Sequence, residues 1–452
     1  MMHEVVNPAT EDVITTIELA NAGEVDRAVE RAQPALRAWN DMGPSGRARA
    51  LHRLARTIED HVDELARIEC LNTGRPLADG VADARHVQSV IEYYANAPER
   101  MSGEQIPVDG GMTLTFREPL GVIGIIVPWN FPLMITAWGA IPALAAGNAV
   151  ILKPALLTPL SAQRLEELFV EAGLPHGLFQ VIVGSGAEIG ERIATHPGIA
   201  KVVFTGSTEV GARVASLAAP LMKKVTLELG GKSANLIFAD ADIAKAAKAA
   251  TKVFHNAGQD CCARARIYVE RPAYDEFLRE YERAIQSLRI GPPDLPGGAD
   301  VGPLISRRHL EHVSAFVDGS DEVLIQADRP EGPGFWFPPT VISPASRDAR
   351  IMREEVFGPV ATVVPFDHED EVVREANDSP FGLAGTVWTS NLARGVRVSR
   401  AIEAGVISVN SNSAVRYSTP FGGYKMSGLG RELGPDAPFE FTQTKSVFFA
   451  AD

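Results

Sequence analysis

Residues 119–152 read PLGVIGIIVPWNFPLMITAWGAIPALAAGNAVIL, a run without one charged side chain. It exceeds the ~20 residues that cross a bilayer. Pro128, Asn130, Pro132, Gly139 and Pro142 interrupt it, however, and a lipid-exposed backbone must close its own hydrogen bonds. The run divides instead into a strand at 122–127, a turn, a helix at 133–146 closed by Gly147, and a strand at 149–152. Both strands are continuously apolar, the mark of a parallel sheet covered on both faces.

The same rhythm extends outward. A helical stretch at 161–172 is followed by strand-like runs at 179–183, 201–204 and 225–238, then by a helical stretch at 243–255. A second alternating region places strand-like segments at 267–269, 361–365, 386–388 and 406–409. Upstream, Leu51, Leu54, Ile58, Val62 and Leu65 recur at three- and four-residue steps and predict a helix with one buried face. Two α/β units that share a cleft are the economical reading.

With 452 residues, 45 % hydrophobic and 22 % charged, the chain is long enough for about three packed domains. Forty-three basic against fifty-seven acidic residues leave a net charge of −14, which offers nucleic acid and anionic membranes no general attraction. Neither is expected as a partner. Cys70, Cys261 and Cys262 are the only cysteines, so no disulfide framework is expected and a reducing, cytoplasmic setting fits. The start, Met1-Met2-His3-Glu4 with Glu11 and Asp12 close behind, lacks the basic and apolar regions of a secretory signal. No His/Cys cluster has metal-ligand spacing, so no metal is expected.

Two glycine-rich turns leave strands. Gly184-Ser185-Gly186-Ala187-Glu188-Ile189-Gly190 has one residue too many in its last gap for the dinucleotide fingerprint. Phe204-Thr205-Gly206-Ser207-Thr208 enters a helix, where backbone amides can hold a pyrophosphate or Ser207 or Thr208 can simply cap. Gly258-Gln259-Asp260-Cys261-Cys262 lies between a helix and a strand, where a loop can present one sulfur to a cleft. His255 stands six residues upstream of Cys261, which leaves open a Cys–His hydrolase dyad or a histidine that ends its helix. An amide at Asn130, a carboxylate at Glu228 between leucines and a thiol at Cys261 form a set suited to carbonyl chemistry.

Together PWNFP (128–132), FTGST (204–208), ELGGK (228–232), the GQ-x-C loop, EEVFGPV (354–360) and PFGGYK (420–425) resemble the aldehyde dehydrogenase superfamily in order and spacing. The Asn-Ala-Gly-Gln-Asp-Cys form of the cysteine loop, 256–261, is similar to the amino- and betaine-aldehyde branches. The resemblance implies an α/β fold with a Rossmann-like NAD(P)-binding domain at 1–101 and 122–229. It further implies a catalytic domain at 230–426, and a small β oligomerisation element at 102–121 and 427–452. A homodimer or homotetramer is implied with it.

It implies Cys261 as the nucleophile that forms a thiohemiacetal with a small-molecule aldehyde, and Asn130 with the Cys261 N–H as the oxyanion hole. Glu228 becomes the base that activates water against the thioester, which argues against the CoA-acylating branch. Glu432 becomes a proton relay behind it. Trp129, Lys153, Gly206, Ser207, Glu355 and Phe357 are implied to hold NAD. Phe131, Met134, Trp138 and His255 are expected in the aldehyde pocket, with Asp260, Cys262, Val415 and Phe421.

Two departures stand out. Leu156 replaces the glutamate that grips the adenosine ribose in relatives, so NADP is admitted beside NAD. Gln443 replaces a glutamate that pairs with the arginine matching Arg431. Asp260 favours a cationic substrate tail, whereas Arg416 would favour a carboxylate if it reached the pocket. A dedicated semialdehyde or betaine-aldehyde dehydrogenase is therefore one alternative; a thiol esterase and a non-catalytic structural homologue are the others.

Overall fold

The computed structural model describes residues 1–451 except 318, 320 and 414; Asp452, the end of the expected oligomerisation segment, lies outside the described residues. The charge-free run folds as its interruptions predict. Val122–Ile126 and Ala149–Lys153 are fully buried parallel neighbours, joined by the helix Pro132–Ala145. Gly147 follows that helix at φ +95°, a left-handed conformation that glycine adopts without a steric penalty.

The first sheet runs, from one edge, Gly428–Leu429, Lys224–Glu228, Lys201–Thr205, Val122–Ile126, Ala149–Lys153 and Phe179–Val181. All but the first are parallel. The chain starts at the centre, steps outward to 179–181, then returns to the other side, so the strand order reverses beside Val122–Ile126. In such sheets ligands bind past the carboxyl ends of the strands at that reversal.

The second sheet orders Glu322–Gln326, Thr340–Ser343, Val360–Phe366, Arg266–Glu270, Ala234–Ile237, Ala384–Trp388 and Val406–Val409, and only the first is antiparallel. The single strand-like run read at 225–238 is thus two strands in two sheets, Lys224–Glu228 and Ala234–Ile237. Gly230 and Gly231 lie in the connection. Hydropathy does not report that break, because residues 226–228 before it and 234–237 after it are all buried.

The upstream helical face also divides. Gly43–Asp60 and Val62–Thr73 are separate helices, with His61 between them at φ −113°, ψ 15°. Leu51, Leu54, Ile58, Val62 and Leu65 nevertheless all enter the core that covers the first sheet. A three-stranded antiparallel sheet, Gln105–Val108, Gly111–Pro119 and Thr442–Ala450, stands apart from both cores and exposes Ile106, Val108, Met112, Phe116, Phe448 and Phe449. Among the described residues no helix is long and apolar enough to cross a membrane.

Candidate active site

Two cavities meet at the junction of the sheets, of about 310 and 430 Å³. The first opens where the strand order reverses. Its walls are the turn after Val122–Ile126, with Trp129 and Asn130, and the turn after Lys201–Thr205, with Gly206 and Ser207. Glu355 and Phe357 close it from the second unit. Thr205, Glu228 and Cys261 line both cavities.

The cysteine loop is held by its neighbours rather than by regular structure. Asn256, Ala257 and Gly258 take φ values of +50°, +52° and +71° in succession, an uncommon run for non-glycine residues. Gln259, buried, braces it: Oε1 accepts from the Ile305 N–H at 2.8 Å and Nε2 donates to the Asn256 carbonyl at 2.9 Å. Asn256 Nδ2 donates to the carbonyls of Asn130 and Gln259, at 2.9 and 3.1 Å. Asn130 Nδ2 donates to the Gln259 carbonyl at 3.0 Å, which spends one of its two N–H groups and fixes the amide beside the thiol. A Cβ on Gly258 would collide with the Gly358 carbonyl, so the GQ-x-C and EEVFGPV motifs pack backbone on backbone.

Cys261 is hydrogen-bonded by Cys262, and that contact, burial and the Asp260 and Glu355 carboxylates push its thiol well above the usual range. It therefore rests protonated at neutral pH. Burial, then the neighbouring Glu432 charge, likewise pushes Glu228 well above the carboxylate range, and burial raises Glu432 to about 7. All four carboxylate oxygens of this pair lack a hydrogen-bond partner. Room for Glu228 comes from Gly422 of PFGGYK, where a Cβ would stand 2.7 Å from Oε1.

Glu355 sits over the ELGGK turn. Its Oε1 accepts from the Gly231 N–H at 2.9 Å, a Cβ on Gly230 would collide with its carboxylate, and burial raises it to about 7. Phe357 takes φ +53° and its carbonyl meets His309 Nε2 at 2.7 Å. Burial holds His309 down to about 4, so its ring is neutral and donates to that carbonyl. Trp129 packs edge-on against Phe357 at 5.3 Å between ring centroids. Ser207 caps the helix Thr208–Ala218, its Oγ accepting from the Val210 N–H at 3.4 Å, so the capping and cavity-wall readings of FTGST hold together.

Phe131, Met134, Trp138 and His255 line the larger cavity, as do Asp260, Cys262, Val415 and Phe421. Glu432 lines it too, bridged to Phe421 through paired backbone hydrogen bonds of 2.7 and 2.8 Å. One expected cofactor residue lies elsewhere, and three readings left open or unmade are decided. Lys153 is buried and off the cavity wall, its Nζ donating to the Pro154 carbonyl at 3.0 Å. His255 Nε2 pairs with Asp79 at 3.0 Å, and no hydrogen bond joins it to Cys261 among the described residues, so the geometry offers no Cys–His dyad. Arg416 is exposed and off the wall, its Nη1 donating to the Ser413 carbonyl at 3.4 Å. Finally, the turn brings ligand atoms of Asp260, Cys261 and Cys262 within 4.8 Å of one another, a grouping that linear spacing did not suggest.

Arg431, for its part, is satisfied without Gln443: Nη1 donates to the Gly430 and Gly423 carbonyls at 2.6 and 3.1 Å. Arg75, Asp83, His86 and Arg264 line the larger cavity and His312 the smaller, none singled out from sequence. Arg75 and His86 come from the helical upstream region, whose link to the thiol is purely tertiary. Only Arg264, three residues past Cys261, had a signal in its position.

The two sheets and the thiol at the junction of two cavities define an α/β enzyme that works in a cleft between units. The sequence profile described as "Aldehyde dehydrogenase family" matches residues 1–447. The chain belongs to that family. It is 40 % identical to a phenylacetaldehyde dehydrogenase of Pseudomonas fluorescens, over 99 % of this chain and 92 % of that one. It superposes on the NAD+ complex of an aldehyde dehydrogenase from Bacillus cereus with a TM-score of 0.97, at 38 % identity, covering 100 % of this chain and 94 % of that one. A betaine aldehyde dehydrogenase from Staphylococcus aureus in complex with NAD+ matches at a TM-score of 0.95 and 33 % identity, over 99 % and 91 % of the two chains.

Proposed function

We propose that the protein oxidises an aldehyde to its carboxylic acid with NAD as hydride acceptor, through a thiohemiacetal and a thioester on Cys261. The observation that carries this reading is that Cys261 and Glu228 stand where the two cavities join. The smaller cavity fits a dinucleotide: the amino end of Thr208–Ala218 suits a pyrophosphate, Glu355 suits ribose hydroxyls, and the orphaned Thr205 hydroxyl faces the same space. NAD, when bound, supplies the acceptor for the hydride that leaves the substrate carbon.

The chain's own groups account for the remaining steps. Cys261 sulfur bonds to the carbonyl carbon as its proton passes to Glu228 in its ionised form and on through Glu432, and the free N–H of Asn130 Nδ2 with the Cys261 N–H receives the oxyanion. After oxidation Glu228, again ionised, takes a proton from water, the hydroxide adds to the thioester, and the C–S bond breaks as Glu228 hands that proton to the departing sulfur, returning the thiol and releasing the acid. Leu156 places no carboxylate against a 2′-phosphate, which supports admitting NADP beside NAD, although it offers that phosphate no donor.

Supporting the proposed division into 1–101 with 122–229, 230–426, and 102–121 with 427–452 is the crossing of the chain between sheets after Glu228. One exception lies within it, since Gly428–Leu429 pairs with Leu227 and Glu228 of the first sheet. The apolar residues on the three-stranded sheet support a homodimer or homotetramer formed through it. Three free cysteines support a reducing, cytoplasmic setting.

The test is incubation of purified protein with hexanal, benzaldehyde, betaine aldehyde and succinic semialdehyde, following NADH and NADPH separately. Turnover is expected with native protein and none with Cys261→Ala, which still binds NAD. Retained oxidation in that variant refutes the assignment.

A further inference from the structure

The larger cavity holds a cation that neither the proposed reaction nor the protein uses. Arg264 follows the Cys261-Cys262 pair and lines the cavity wall at 7 % exposure. Nη1 donates to the Cys262 carbonyl at 2.9 Å, but Nε and Nη2 are buried with no acceptor. Buried donors are ordinarily satisfied, and an unpartnered guanidinium beside a substrate cavity is matched to a group that the substrate brings.

Of the other charges around the cavity, all but that of Asp260 are already answered. Arg75 is paired with Asp83, and His255 with Asp79. Burial pulls His86 down to about 4; its neutral Nε2 accepts from Trp138 Nε1 at 2.9 Å. Glu228 and Glu432 are held toward their protonated forms by burial. Asp260 keeps its negative charge in the same wall, its Oδ1 accepting from the Cys262 N–H at 2.8 Å. Against that one carboxylate stand Arg264 in the wall and Lys252, an exposed lysine that also lines the cavity. Both are positive. Phe131, Met134, Trp138 and Val415 supply an apolar surface for a short hydrocarbon chain.

We propose that Arg264 is a specificity-determining residue that selects aldehydes carrying a carboxylate at the far end, so that the substrate is the semialdehyde of a dicarboxylic acid. This rests on the aldehyde-oxidising reading above and assigns its substrate class. The product is then a dicarboxylate, and the reaction that supplies the substrate must generate an aldehyde on a chain that already ends in a carboxylate.

The test compares kcat/KM for glutaric semialdehyde and for pentanal, which have equal chain length. A buried charge-assisted hydrogen bond favours the carboxylated substrate by about tenfold to a hundredfold in the native enzyme. Arg264→Met brings that ratio close to one, and Arg264→Lys restores part of it. Glutarate should inhibit pentanal oxidation competitively, and about tenfold less well in Arg264→Met. A native ratio at or below one, or a ratio unchanged in Arg264→Met, overturns the proposal. If Arg264→Met does not fold, the native ratio and the native inhibition by glutarate decide it. Silence with every aldehyde and both cofactors refutes instead the aldehyde-oxidising reading; calorimetric binding of glutarate to the native protein, or its absence, then decides the role of Arg264 separately.

Discussion

Replacing Gln259 by alanine tests whether the cysteine loop is held in place from outside. The side chain is 1 % exposed and makes three hydrogen bonds, two short ones with the Ile305 N–H at 2.8 Å and the Asn256 carbonyl at 2.9 Å and a long one to the Pro303 carbonyl at 3.5 Å. Truncation leaves the Ile305 N–H buried without a partner, whereas the Asn256 carbonyl keeps the Gln259 N–H at 3.0 Å. An orphaned buried donor costs about 1–3 kcal/mol and a lost hydrogen bond with one partner still satisfied about 0.5–1.5, so the loss of stability should be about 2–4 kcal/mol. Asn256 and Ala257 then lose part of what holds them at positive φ, and the turn carrying Cys261 relaxes. A nucleophile displaced by an ångström loses about a hundredfold in rate, so kcat should fall by about tenfold to a hundredfold. Denaturant unfolding gives the first quantity, and steady-state kinetics with thiol titration of Cys261 the second. A stability loss below about 1 kcal/mol together with an unchanged kcat would refute the idea that Gln259 braces the nucleophile.

Other perturbations have defined signs. Glu228→Gln should slow deacylation more than hydride transfer, so a pre-steady-state burst of NADH persists while kcat falls; loss of the burst counts against the assigned base. In the native enzyme kcat should rise with pH through the neighbourhood of 7, where Glu432 gives up its proton, and a flat profile would contradict the relay. Gly230→Ala forces the Glu355 carboxylate from its place and breaks its bond to the Gly231 N–H, so KM for NAD should rise by about tenfold; an unchanged KM removes Glu355 from the cofactor site. Burial raises Glu69 from 4.5 to about 7. It is therefore protonated in the folded state and ionised in the unfolded state between those values, and stability falls as pH rises through that window. Glu69→Gln should flatten this part of the stability profile, and thermal unfolding across the same window would show it.

The sequence by itself determined the layered architecture and pointed to the groups proposed for the centre. Continuous apolar strands at 122–126 and 149–152 declare a sheet covered on both faces, since a strand with one wet face must alternate. Cys261, Glu228 and Asn130 were legible because thiol, base and amide donor are side-chain types that carbonyl chemistry requires, within motifs whose order restricts the fold. The paired glycines of ELGGK and the glycine of PFGGYK were legible as motifs but not as reasons. Only the structure shows that they clear space for Glu355 and Glu228.

Tertiary structure alone decided what depends on distant segments meeting. The run 225–238 reads as one strand but belongs to two sheets, because residues 226–228 and 234–237 are buried alike and strand partners are chosen by the whole fold. The weakened acidity of Glu228 and Glu432 arises from joint burial of residues far apart in the chain, which composition cannot express. Arg416 and Arg264 are alike as letters. One is exposed on a loop and the other is sealed into the cavity wall, because accessibility is set by what packs over a residue and sequence position does not record that.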